Sequence, residues 1–221
     1  MYVKIFRSTF NSKNQINLAM PEKYYNQGWF GKHPAMYEIG TFFIRHLRRK
    51  AAEMIGENKK LKIIDIATGT GAHAYELAKL GHEVVGIDLD KKMLAKTSRK
   101  TSTKLKLSFL YGDGTNLPFK ADEFDIATIS FAMHDVPAEI GVKILKEAKR
   151  VIKKDGFIYI VDYDQLGTCR SKILYAIALI YESPNYKPFV KRNFNYYLQE
   201  TGLKIEKKDT YAGAIQMTKI C

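Results

Sequence analysis

The nine residues IIDIATGTG, positions 63 to 71, decide how the rest of this chain is read. Ile63, Ile64 and Ile66 form a short β-branched apolar run of the kind a buried parallel strand carries, and Asp65 interrupts it near its end. Gly69 and Gly71 follow. They permit a tight turn and a close approach of backbone to a ligand where a Cβ would collide, and Ala72 to Leu80 then reads as a helix. A helix that starts beneath such a turn directs unpaired N–H groups at whatever lies there. Alone the pattern is ambiguous, because Gly69-x-Gly71-x-x-Ala74 also satisfies a dinucleotide fingerprint and glycine pairs before helices often serve only as turns.

Carboxylates further along narrow the choice. The run EVVGI (83 to 87) ends at Asp88, close to the ~20-residue offset at which an acid hydrogen-bonds the hydroxyls of an adenosine ribose. A third run, KLSFL (106 to 110), ends in Tyr111-Gly112-Asp113-Gly114, so strand ends carry Asp65, Asp88 and Asp113. A carboxylate at Asp65 is poor electrostatics for a pyrophosphate lying over the glycine turn and favourable for a ligand with an ammonium and a sulfonium. S-adenosyl-L-methionine has both, with a ribose for Asp88 and an adenine amine for Asp113.

The segment Asp65-x-Ala67-x-Gly69-x-Gly71 resembles motif I of the class I S-adenosylmethionine-dependent methyltransferases, usually acid-x-Gly-x-Gly-x-Gly, with Ala67 in place of the first glycine. FDIATISFAMHDVP (124 to 137) is similar to the family's motif IV strand and loop, and LKEAKRVIKKDGFIYIVDY (145 to 163) to the helix, turn and strand that follow. The resemblance covers about residues 35 to 219 and is closest to the branch of quinone-biosynthesis and other small-molecule methyltransferases. It implies an enzyme with S-adenosyl-L-methionine as cofactor, held by Asp65, Ala67, Thr68, Gly69 and Gly71, by the ribose acid Asp88 with Leu89, by the adenine-side Asp113 and Gly114, and by Ser130 and Phe131.

Strands and helices alternate from 61 to 163, which calls for a parallel sheet with helices on both faces and a ligand site beyond the carboxyl ends of the strands. Helices are expected from about 170 to 182 and 188 to 200, then an antiparallel pair at 203 to 210 and 213 to 219. The expected fold is thus α/β: a Rossmann-like, seven-stranded, mostly parallel sheet with the last strand antiparallel and an N-terminal helical cap. Its seven strands follow from the resemblance. The second mononucleotide-binding half that a dehydrogenase needs is missing, which counts against NAD. Residues 1 to 34 read as an arm over the cofactor cleft, and 35 to 221 as one domain, with the cofactor core at 61 to 163 and substrate-side elements at 164 to 221.

The net charge of +13 favours anionic partners such as RNA or a lipid surface, yet a lysine-rich composition more often serves solubility. Cys169 and Cys221 fit no disulfide or zinc framework, and MYVKIFRSTFNSKNQ has no signal-peptide core, so the reading is a cytoplasmic protein without a metal site. The longest apolar run, ILYAIALIY (173 to 181), is short of the ~20 residues a span needs, though it can touch a membrane or a greasy substrate.

Methyl transfer from a sulfonium needs in-line positioning and a deprotonated nucleophile, and few obligatory residues. In the loop after the fourth strand, His134 is the candidate base, with Asp135 to orient it; the alternative is that His134 only shapes the loop. SFAMHDVP lacks the Asn/Asp-Pro-Pro-aromatic pattern of enzymes that methylate planar amines. Tyr25 and Trp29 in the arm, and Tyr186 and Arg192 in the stretch before the last strands, are the candidate substrate contacts. The acceptor expected is a small or lipid-like amphipathic molecule; the alternatives are RNA, or no catalysis at all.

Overall fold

Apolar β-branched runs bounded by glycine turns have one stable arrangement in a chain of this length, a sheet covered on both sides. In the computed structural model, which describes residues 34–56, 60–97, 104–164, 172–173, 175–176, 182–192, 194–211 and 213–221, that sheet has seven strands. They are β1 (Lys62–Ile66), β2 (Glu83–Asp88), β3 (Leu107–Tyr111), β4 (Phe124–Ser130), β5 (Ile152–Tyr163), β6 (Ile205–Tyr211) and β7 (Ile215–Ile220), in the order β3-β2-β1-β4-β5-β7-β6. The first five are parallel neighbours, and β7 alone runs against the rest, antiparallel to both β5 and β6. The expected sheet is the one found.

Helices α1 (Pro34–Ile55) and α2 (Ala72–Lys79) cover one face, and α4 (Ala138–Val151), α5 (Tyr186–Lys191) and α6 (Asn195–Thr201) the other; α3 (Lys91–Leu94) is a single turn after β2. Alternation along β1 sends Ile63 to the cluster with Ala52, Ala74 and Leu77, and Ile64 and Ile66 to the cluster with Ile144 and Leu145. Asp65 therefore points to the face of α1 and α2. The order reverses between β1 and β4, and the crevice opens at the carboxyl ends of those strands. No described helix is long and apolar enough to cross a membrane.

Arg48 is buried, because helical spacing puts it on the face of Ala51 and Ala52; its guanidinium lies over the Phe131 ring, 5.6 Å from the centroid. The helix expected from 188 to 200 is two, α5 and α6, separated where Arg192 is extended (ψ 132°), which lets Phe189, Phe194 and Tyr197 all bury. The N-terminal arm, with Tyr25 and Trp29, lies outside the described residues up to position 33, as do Cys169 and most of the helix expected from 170 to 182.

Candidate active site

The glycine turn is built by backbone. Thr68 N donates to Ile87 O at 3.0 Å and Gly71 N to Thr68 O at 2.9 Å, while Ala67, Gly69 and Gly71 take φ of 55°, 58° and 72°. Ala67, in the position of the first motif glycine, thus occupies the left-handed region that glycine enters most freely. Phe131 does the same at φ 53°, an outlier for a bulky residue. Both line one cavity of about 110 Å³ at the crevice. Strained backbone of this kind gathers at functional sites, where the surrounding packing holds it.

Asp88 is the pivot of the cavity wall. Its Oδ2 accepts the Gly69 amide at 2.6 Å and its Oδ1 the Asp90 amide at 2.8 Å, joining the glycine turn to the end of β2. Burial pushes its carboxyl up to about 6, against the lowering effect of those two amides. Asp90 caps α3 by accepting the Lys92 and Met93 amides at 2.7 and 3.3 Å, which brings Met93 to the cavity. Gly112 and Gly114 border the other side, where a Cβ would stand 2.6 Å from Ile87 Cδ1 and 2.9 Å from Ile66 Cγ2 respectively. The cavity has the carboxylates of Asp88, Asp90 and Asp135 on its walls and, among the described residues, no lysine or arginine.

Ala67, Gly69, Asp88, Leu89, Gly114 and Phe131 are the expected residues that the structure brings to this cavity. Asp65 is not among them. Its Oδ2 accepts from the Thr68 hydroxyl at 2.6 Å and its Oδ1 from that of Thr128, its register partner on β4, at 2.7 Å, so it braces the turn from the α1–α2 side. Thr68 and Gly71 are buried in the same brace. Asp113 turns back on its own loop, its Oδ1 accepting from the Thr115 amide and hydroxyl, both at 2.8 Å. Ser130 is buried at the end of β4 with its hydroxyl unpartnered.

His134, the candidate base, lies beside the cavity rather than on its wall. The ring is buried, faces Asp162 and Glu182, and does not border the cavity. Burial opposes its charge, but the Asp162 and Asp135 carboxylates and the hydrogen bonds to Asp162 and Glu182 outweigh that and hold it well above its ordinary value. Tyr186 is likewise core, its ring 4.7 Å from that of Tyr163, and Arg192 lies over Tyr196 at 4.6 Å; neither reaches the cavity. Asp90, Met93, Gly112 and Ile144 do, unforeseen. The Asp90 cap, three residues before Met93, was the one legible signal among them.

A family model for a methyltransferase domain matches residues 63–156. A demethylmenaquinone methyltransferase of Staphylococcus saprophyticus is 31% identical over 167 residues, covering 73% of this chain and 71% of that protein. The chain belongs to the S-adenosylmethionine-dependent methyltransferases. The enzyme of the same description from Staphylococcus aureus is 30% identical over 167 residues, covering 73% and 68%. A crystal structure of a methyltransferase from Aquifex aeolicus shares the fold of this methyltransferase at a TM-score of 0.61 and 18% identity, covering 78% of this chain and 88% of that one.

The cavity of this methyltransferase fits S-adenosylmethionine as cofactor. Glycines without Cβ atoms flank it, a carboxylate stands at the end of β2, and Met93, Ile87 and Ile144 offer apolar surface to a planar ring. The anionic wall suits a sulfonium and repels a pyrophosphate.

Proposed function

We propose that this methyltransferase acts on a small acceptor with an apolar body, of the kind named for its demethylmenaquinone relatives. The observation that carries this reading is the wall formed by the turn after β4, where Phe131, Ala132 and Val136 surround one polar group, Asp135. Such a wall suits an apolar ring, offers one carboxylate as a polar contact, and has no cations for a phosphate backbone. When bound, S-adenosylmethionine supplies a methyl group already activated on a sulfonium. Asp88 would accept from the ribose hydroxyls, Gly69, Gly112 and Gly114 would let the nucleoside lie against backbone, and Asp65, through Thr68 and Thr128, would hold the turn in place. Phe131 would exclude water from the reacting end.

Labelled S-adenosylmethionine incubated with the protein and either a reduced demethylated naphthoquinone or total RNA tests the acceptor. Label is expected in the organic phase with the quinol; label in RNA, or none with any apolar ring acceptor, would reject this reading.

The Asp88 carboxyl also sets a pH dependence. A folded-state value of about 6, above the ordinary 3.8, means that ionised Asp88 detracts from stability and that its favourable contribution is lost as pH rises through 6. Binding has the opposite sign, since only the carboxylate accepts from both hydroxyls. Affinity for S-adenosylhomocysteine should be flat above pH ~7 and fall about tenfold for each unit below the carboxyl's value. Isothermal titration from pH ~5 to ~8 reads this; a constant affinity across that range would remove Asp88 from the ribose.

A further inference from the structure

A second set of titratable groups lies between the turn after β4, the end of β5 and residues 182–185. His134 Nδ1 is 2.7 Å from Asp162 Oδ1, and its Nε2 is 3.2 Å from Glu182 Oε2 and 3.7 Å from Asp135 Oδ1. The Tyr163 hydroxyl donates to the other Glu182 oxygen at 2.6 Å. Asp162 is fully buried and the Glu182 side chain is 14% exposed. Among the described residues no lysine or arginine pairs with Asp135, Asp162 or Glu182. Two of the three carboxylates facing the imidazole, those of Asp162 and Glu182, are buried with it, while the Asp135 side chain is 45% exposed. Charge buried in this way is retained where it is paired or coordinates a metal.

The geometry is that of a ligand set. Asp162 is itself fixed, its Oδ2 accepting the Met133 and His134 amides at 2.9 and 3.3 Å and its Oδ1 the Tyr163 amide at 2.7 Å. A carboxylate so anchored, accepting from Nδ1–H, orients the ring and leaves Nε2 as the donor to a metal. The atoms offered by His134, Asp135 and Glu182 lie within 4.8 Å of one another. Bonds of ~2.0–2.2 Å to a tetrahedral ion separate its ligands by ~3.3–3.6 Å, close to the 3.2 and 3.7 Å found here. An imidazole among carboxylates favours zinc-like ions over magnesium or calcium.

We propose that His134, Asp135 and Glu182 bind a divalent transition-metal ion of the zinc type, with Asp162 as the group that orients the histidine. The ion takes the place of the Nε2 proton, which leaves to solvent. Three protein ligands leave a fourth position for water or an acceptor oxygen, and Asp135 puts the ion in the cavity wall. Forty-eight residues separate His134 from Glu182, so no spacing in the sequence announces the set.

The test uses untagged protein stripped with a chelator and titrated with cobalt(II). One equivalent should bind, with the visible absorption of a tetrahedral site, and zinc should displace it and raise the melting temperature. Glu182→Gln and Asp162→Asn should each weaken uptake ~10–100-fold while the melting shift with S-adenosylhomocysteine persists, which shows that the variants are folded. Wild type that responds to S-adenosylhomocysteine yet takes up no cobalt would overturn the proposal and leave the histidine a cation held by its carboxylates. Uptake that neither variant alters would place the metal elsewhere and overturn it equally.

Discussion

Asp88→Ala is expected to abolish saturable cofactor binding at concentrations that fill the wild type. The carboxylate stands at the end of β2 on the cavity wall, and it orders the site as well as facing it, because its two oxygens hold the Gly69 and Asp90 amides. Each hydrogen bond to a charged group contributes about 1.5–3 kcal/mol, and two lost ribose bonds amount to ~3–6 kcal/mol, a factor of ~10²–10⁴ in the dissociation constant. The fold itself should survive, since ionised Asp88 is a half-buried charge whose removal relieves desolvation. Titration calorimetry with S-adenosylhomocysteine, alongside a melting curve, separates the two effects. A loss of less than about tenfold in a variant of unchanged melting temperature would mean that the ribose is held elsewhere.

Gly71→Ala is the substitution expected to cost the fold most. Gly71 has φ 72°, caps the start of α2, and an added Cβ would run into the Phe109 ring. The left-handed backbone costs an alanine about 1–2 kcal/mol and crowding in a packed core about 1–3 kcal/mol. Together these lower the melting temperature by on the order of 10 °C in a chain of this size. The ring of Phe109 also packs against the cluster that holds Ile63, so the strain reaches the strand from which the turn springs. A variant within a degree or two of wild type would show that the turn relaxes freely. That would contradict its role as a rigid support for Gly69.

What could be read along the chain was whatever depends on neighbours in sequence. Ile63, Ile64 and Ile66 followed by Gly69 and Gly71 specify a strand, a turn and a helix, because burial and backbone freedom are local properties of those residues. The alternation that follows dictates a parallel sheet, and Asp88 at the end of β2 stands at the cavity because strand ends converge on the crevice. The family and the seven-stranded topology with β7 reversed came from the resemblance of these motifs to the class I methyltransferases.

Side-chain direction was not. The charge that an aspartate brings to the crevice depends on which face it shares, and Asp65 shares that of Ile63, where Thr68 and Thr128 take both of its oxygens. His134 sits in the loop where a base was wanted, yet Asp162 and Glu182, 28 and 48 residues away in sequence, claim its two nitrogens. Tyr186, at the start of α5, is core because Tyr163 at the end of β5 packs against it. The sequence alone determined a strand-turn-helix cofactor fold and its acid at the end of β2, since these follow from local backbone and burial preferences. Only the tertiary structure decided which carboxylates face the ligand and which face a buried histidine, because that depends on partners brought together from distant strands.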